Sequence, residues 1–197
     1  YFDGKRPVAL VFVYHTCPML CSLVLDAAEK GMRELAWNIG TEYDVLAISI
    51  DPKDTPATAG RKRGEVARAY GRQLPEDRTD GGLHFLVGDS SSIARVTEAV
   101  GFQYRYDERQ QQYAHPAALY LTTPSGSLAR YLYGIEFKPA DLRLGLLEAS
   151  EGRSISSVER LLLYCYHYDP QGKRYALVAM NVMRVGGVIT LFGLGSL

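Results

Sequence analysis

Little in this sequence runs to an extreme, and each shortage excludes a class of protein. Three cysteines in 197 residues are too few to staple a scaffold of disulfides. Neither sign of charge is in excess: 22 basic residues balance 22 acidic ones, with no long run of either. Nucleic acid, whose phosphates call for a basic face, is therefore not an expected partner. The chain has no internal repeat and no low-complexity stretch. Its opening, Tyr1-Phe2-Asp3-Gly4-Lys5, lacks an initiator Met and shows no basic start, apolar middle and small-residue exit; it reads as a mature or trimmed chain. What remains is an ordinary globular composition, 47% hydrophobic and 22% charged. At this length the expectation is one domain with an appendage.

Two of the few cysteines fall together. Residues 8–14 form a nearly all-apolar run, the pattern of a strand buried on both faces. Cys17-Pro18-Met19-Leu20-Cys21 follows and opens a helix whose apolar spacing continues to about Trp37, with Gly40 ending it. Positions i and i+4 share a helix face, so both sulfurs can point one way. The helix N-terminus favours thiolate over thiol. Three readings stay open for the pair: a reversible dithiol, a metal site, or two unremarkable core cysteines. Three intervening residues, against two in the thioredoxin redox motif, allow a disulfide and also let two thiolates chelate one ion. Two soft sulfurs without a second Cys pair favour Cu(I), or Cu(II) with an added imidazole. A closed zinc site would need four ligands.

The remaining chain alternates strand and helix. Residues 44–50 read as a second buried strand, 56–71 as a helix opened by Thr55-Pro56, and 84–87 as a short strand. Asp89-Ser90 caps a helix ending at Gly101, and residues 104–113 are a polar, aromatic strand with a loop. Residues 117–122 and 128–133 form a hairpin around Pro124-Ser125-Gly126, and 139–149 a last helix. This order predicts an α/β fold with a thioredoxin-like central sheet and flanking helices over residues 1–152. Residues 153–197 are expected as a C-terminal extension with an apolar helical tail. Within it, Ser156 and Glu159 suggest a capping box opening a short helix that carries Cys165 and His167, and Asp169-Pro170-Gln171-Gly172 a turn. Residues 175–197 are long enough to span a bilayer, where about 20 residues suffice. Arg184 near the middle would cost about 2.5–3.5 kcal/mol there. The tail is read as a membrane anchor, or else as a docking helix packed on the domain or another subunit.

Four histidines could supply an imidazole: His15, His84, His115 and His167. His115 stands out because Ala114-His115-Pro116 immediately precedes the hairpin strand. In thioredoxin-type folds a proline in that loop faces the redox cysteines, so His115 is expected opposite Cys17 and Cys21. The direction of the first strand turns His15 away, and His84 reads as a satisfied strand histidine. Asp51 and Asp54 serve turn and helix-cap roles. Met19 reads as packing, and Cys165 with His167 as a buried thiol and a capped imidazole. The 14 tyrosines suggest packing surfaces and a protein partner.

Three ordered motifs now stand together: Cys17-Pro18-Met19-Leu20-Cys21; Ile48-Ser49-Ile50-Asp51-Pro52-Lys53-Asp54-Thr55-Pro56; and His115 ahead of Leu119-Tyr120-Leu121-Thr122-Thr123-Pro124-Ser125-Gly126. Over roughly residues 5–150 the chain resembles the Sco/SenC family of thioredoxin-fold copper proteins. The resemblance implies a copper ion held by Cys17, Cys21 and His115. It implies delivery of that copper, or thiol reduction by the redox-active Cys17/Cys21 pair, at the CuA centre of cytochrome c oxidase subunit II. It also implies a membrane-tethered position facing the periplasm or intermembrane space, here expected as the periplasmic side of a bacterial inner membrane. A thiol-disulfide oxidoreductase and a structural subunit of a membrane respiratory complex are the alternatives. Many members have Asp after the motif proline, Pro after the second Cys and Asp before the histidine, where this chain has Met19, Ser22 and Ala114. The absent carboxylate bears on how the imidazole is held and removes no ligand.

Overall fold

Six apolar residues in succession make β1 (Val8–Val13), and all six are buried, as a strand covered on both faces requires. The computed structural model describes residues 1–16, 20–153, 166–169 and 174–177, with side chains for 1–16 and 23–153. In chain order β1 is followed by α1 (Leu20–Arg33), β2 (Asp44–Ser49), α2 (Pro56–Tyr70), β3 (Leu83–Leu86) and α3 (Ser90–Val100). Next come β4 (Arg105–Asp107), β5 (Gln112–Ala114), β6 (Ala118–Thr122), β7 (Leu128–Tyr133) and α4 (Pro139–Ser150). The central sheet runs β3-β2-β1-β6-β7. Its first three strands are parallel, and β6 and β7 join antiparallel. β4 and β5 form a separate two-stranded hairpin.

Alternation along the strands sorts the side chains to two faces. Val11, Val45, Leu83, Phe85 and Leu119 line one side together with Leu25, Ala28 and Met32 of α1 and Val66 and Tyr70 of α2. On the other side Phe12 and Tyr120 pack against Phe102 just beyond α3, and the Tyr131 hydroxyl donates to the Val100 carbonyl. α1 also runs close to the segment entering α4. A Cβ on Gly31 would lie 2.5 Å from the Phe137 carbonyl oxygen, so that approach requires glycine. This is the mixed α/β, thioredoxin-like architecture expected from the sequence.

Several local expectations need correction. α1 ends at Arg33 rather than near Trp37. Leu35 and Ile39 are still buried, but from irregular chain, so the apolar spacing outlasts the helix. Arg72 stands in for helical donors there, donating to the carbonyls of Arg33 and Leu35. Residues 104–113 are a hairpin with both strands paired rather than a strand and a loop. His167 lies on a strand: β8 (Tyr166–Asp169) pairs antiparallel with β9 (Arg174–Leu177). Tyr166, Tyr168 and Tyr175 flank the Asp169-Pro170-Gln171-Gly172 turn signal, and aromatic residues on both sides of such a turn favour a hairpin over a helix. The expected capping box at Ser156 and the apolar stretch 178–197 lie outside the described residues, as does Cys165.

By contacts the chain divides into Tyr1–Ser154 and Ile155–Leu197. Among the described residues no helix is long and apolar enough to cross a membrane.

Candidate metal centre

Parallel strands deliver their following loops to one edge of a sheet, and that edge is the usual place for ligands. Here β1 leads to His15 and Thr16 ahead of Cys17, and β2 leads to Asp51–Asp54. β6 runs the other way, so the loop before it, carrying His115 and Pro116, reaches the same edge. Cys17, Pro18 and Met19 lie outside the described residues, and Cys21 is the second residue of α1. The topology thus brings the start of α1 and His115 to one end of the sheet.

His115 is only 2% exposed. Its Nδ1–H donates to the Pro116 carbonyl at 3.0 Å, and a carbonyl can only accept, which fixes the tautomer. The lone pair therefore sits on Nε2, the arrangement of a metal-binding imidazole oriented by a hydrogen bond from its other nitrogen. Two rings flank it: Tyr14 edge-on with centroids 6.4 Å apart, and Phe102 tilted at 5.9 Å.

His15 and His84 sit elsewhere. The His15 ring turns toward β3, where its Nε2–H donates to the Leu86 carbonyl and the ring packs on Phe85. Burial pushes its imidazole below the ordinary histidine value, with the Leu86 hydrogen bond opposing. His84 is buried beside Asp80, and desolvation lowers it too. Both stay neutral at pH 7. His167 belongs to the hairpin of the second unit. Among the described residues no three His, Cys, Asp or Glu groups lie close enough to hold a metal ion.

Three residues here carry roles that sequence reasoning did not give them. Asp54 is not the helix cap. Thr55 caps α2, its hydroxyl accepting from the Thr58 N–H while Thr58 returns the bond. The Asp54 carboxylate is instead buried, 7% exposed, and accepts from the His15 N–H and the Ser49 hydroxyl, each at 2.6 Å. It clamps the chain two residues ahead of Cys17 to the end of β2. A carboxylate followed by Thr-Pro looks like a cap in sequence, and only the tertiary approach of β1 reveals the clamp. Asp51 does keep its turn role, accepting from the Lys53 N–H. Its second contact, from the Tyr113 hydroxyl at 3.5 Å, has no sequence signal. Burial, with the Asp51 carboxylate adding to it, raises the Tyr113 phenol above its ordinary value.

A model of the SCO1/SenC family matches residues 1–143. The chain belongs to the SCO1/SenC family. No curated protein matches its sequence. Solved structures share the fold. A putative electron transfer protein from Aquifex aeolicus is 22% identical with a TM-score of 0.64, over 77% of this chain and 82% of that one. ScoI from Arabidopsis thaliana, with copper bound, is 20% identical at TM-score 0.59, over 76% of this chain and 87% of that one. BsSco, described with a disulfide switch and as a member of the Sco family of cytochrome c oxidase assembly proteins, is 21% identical at TM-score 0.55, over 76% and 82%.

Proposed function

We propose that this protein carries copper for assembly of cytochrome c oxidase, with Cys17, Cys21 and His115 as ligands and the CuA centre of subunit II as the destination. The observation that carries this reading is His115. A buried imidazole at the ligand-binding end of the sheet, its Nδ1–H committed to the Pro116 carbonyl, presents Nε2 as a donor. Two thiolates and one imidazole suit copper and leave it exchangeable, because a fourth protein ligand is not required. Copper is cargo here. It leaves by exchange of these ligands for Cys and His groups of the partner. The copper-bound ScoI structure supports the assignment, as does family membership. Tyr106, Tyr133 and Ile135 are exposed apolar side chains that suit a docking partner.

The position of Cys21 in the first turn of α1 favours a second reading, in which the pair is a thiol-disulfide reductant for partner cysteines. Cys17 attacks a partner disulfide, one partner thiolate leaves, and Cys21 displaces the other as the Cys17–Cys21 disulfide forms. BsSco's disulfide switch supports redox activity of this pair. The oxidised pair has no thiolates to offer copper, so the two activities exclude each other within one molecule. Copper transfer to a soluble subunit II domain should be lost in both Cys17→Ser and His115→Ala. Reduction of a partner disulfide that survives His115→Ala and disappears with Cys17→Ser would establish the reductant in its place.

The setting proposed is the periplasmic side of a bacterial inner membrane, with the segment beyond β9 as the anchor. β9 takes the first residues of the apolar run, and residues 178–197 still supply the roughly 20 positions a span needs. A docking helix is the competing use of that segment.

A further inference from the structure

His115 is anchored unequally on its two sides. Downstream, β6 begins three residues later in the five-stranded sheet. Upstream lies the β4–β5 hairpin, with three residues in each strand and no pairing to that sheet. A two-stranded ribbon of this size is marginal alone, so side-chain contacts must fix it to the body.

Tyr113 of β5 makes those contacts. Its ring meets Tyr14 edge-on at 5.5 Å and tilts against Tyr104 at 5.9 Å. Tyr14 in turn meets His115, Tyr104 meets Phe102 at 6.0 Å, and Phe102 meets His115. The five rings close a circuit: His115, Tyr14, Tyr113, Tyr104, Phe102. Edge-to-face and tilted pairs at these separations are attractive, and a closed circuit restricts each member's tilt. Within the circuit Tyr113 also reaches β2's end, where its hydroxyl points to Asp51 Oδ1 at 3.5 Å, long for a hydrogen bond. Asp51 is itself held by the Lys53 N–H. Tyr113 therefore ties the hairpin to the ends of both β1 and β2, the two strands that lead into the site.

We infer that Tyr113 is a positioning residue that sets the orientation of the His115 imidazole and thereby the lifetime of bound copper. The second half of that statement rests on His115 being a copper ligand, as proposed above; the first does not. Removing the ring should matter more than removing the hydroxyl. Outer partners that hold a ligating imidazole directly are worth about 10–100-fold in metal affinity; Tyr113 acts one ring removed, through Tyr14, so Tyr113→Leu should release Cu(II) about tenfold faster. Tyr113→Phe keeps the ring and loses one long hydrogen bond, for about a fivefold effect or less.

The test has two arms. Imidazole ¹⁵N spectra of the metal-free chain should show His115 as one tautomer with the proton on Nδ1. In Tyr113→Leu that signal should shift toward a mixture while the His84 signals, at the far edge of the sheet, stay in place. Release of Cu(II) to a chelator is then timed for the same proteins. An unchanged His115 signal in Tyr113→Leu overturns the inference, and so does a parallel change at His84, which would mean general loosening. If the parent chain takes up no copper while Tyr113→Leu still alters the His115 tautomer, the positioning role stands and the copper assignment falls.

Discussion

Glu29 sits on the inner face of α1, 8% exposed, beside a cavity of about 20 Å³ walled by Val11, Leu25, Met32, Val66 and Tyr70. That space is about enough for one water. Its Oε1 makes no hydrogen bond, and the half-exposed Arg33 guanidinium stands 3.5 Å away. Burial raises this carboxyl above the ordinary glutamate value of 4.5, the Arg33 charge opposing and Asp26 adding. The folded chain therefore holds the proton to higher pH than the unfolded chain. The associated stability is present below pH 4.5 and is lost as pH rises through the raised value. Glu29→Gln removes the ionisation, and Glu29→Met also fills the apolar site. Unfolding by denaturant across pH should show both variants gaining on the parent as pH rises, with Glu29→Met ahead by about 1 kcal/mol at pH 7. A gain independent of pH would mean that Glu29 holds its proton equally well folded and unfolded, so that burial does not raise it.

Elements were legible in the sequence wherever a local signal agreed with the tertiary result. β1 declared itself by an unbroken apolar run, α2 by Thr55-Pro56, and α3 by Asp89, whose carboxylate accepts from the Ser92 N–H. α1 overran because Leu35 keeps the helical apolar period while belonging to irregular chain, and periodicity cannot distinguish the two. The position of His115, in the loop before β6 at the end of the sheet where α1 starts, was legible. Asp54 as a clamp and Tyr113 as a brace were not, since each acts on a residue far away in sequence: His15 lies 39 positions from Asp54, and Asp51 lies 62 from Tyr113. The β8–β9 hairpin was hidden by the capping-box signal at Ser156 and Glu159, which ran a short helix through His167, although tyrosines on both sides of the Asp169-Pro170 turn signal point to strands. The segment beyond that hairpin carries the anchor proposal. Membranes from cells making the chain should need detergent to release it, and deletion of residues 178–197 should make it soluble in plain buffer. Release of the undeleted chain by buffer alone would sink the anchor and leave the docking helix.

At the scale of the whole molecule, the sheet gathers its chemistry at one end. The loops after β1 and β2 and the loop before β6 converge there, with Asp54 fixing the first to the second and Tyr113 tying the third to both. The opposite end holds an ion-pair cluster instead. Arg78 grips the Asp44 carboxylate with two nitrogens, Arg6 adds a longer contact, and none of it bears on the site. A rigid frame with a preset imidazole suits a carrier that must accept and surrender a metal without refolding. The measurement that tests this most directly is copper titration of the fully reduced chain beside its His115→Ala variant, followed by metal analysis and visible absorption. The parent chain should bind one copper with thiolate-to-Cu(II) absorption, and the variant should bind Cu(II) at least about tenfold more weakly with an altered spectrum. A variant that keeps the parental Cu(II) affinity and spectrum would contradict it.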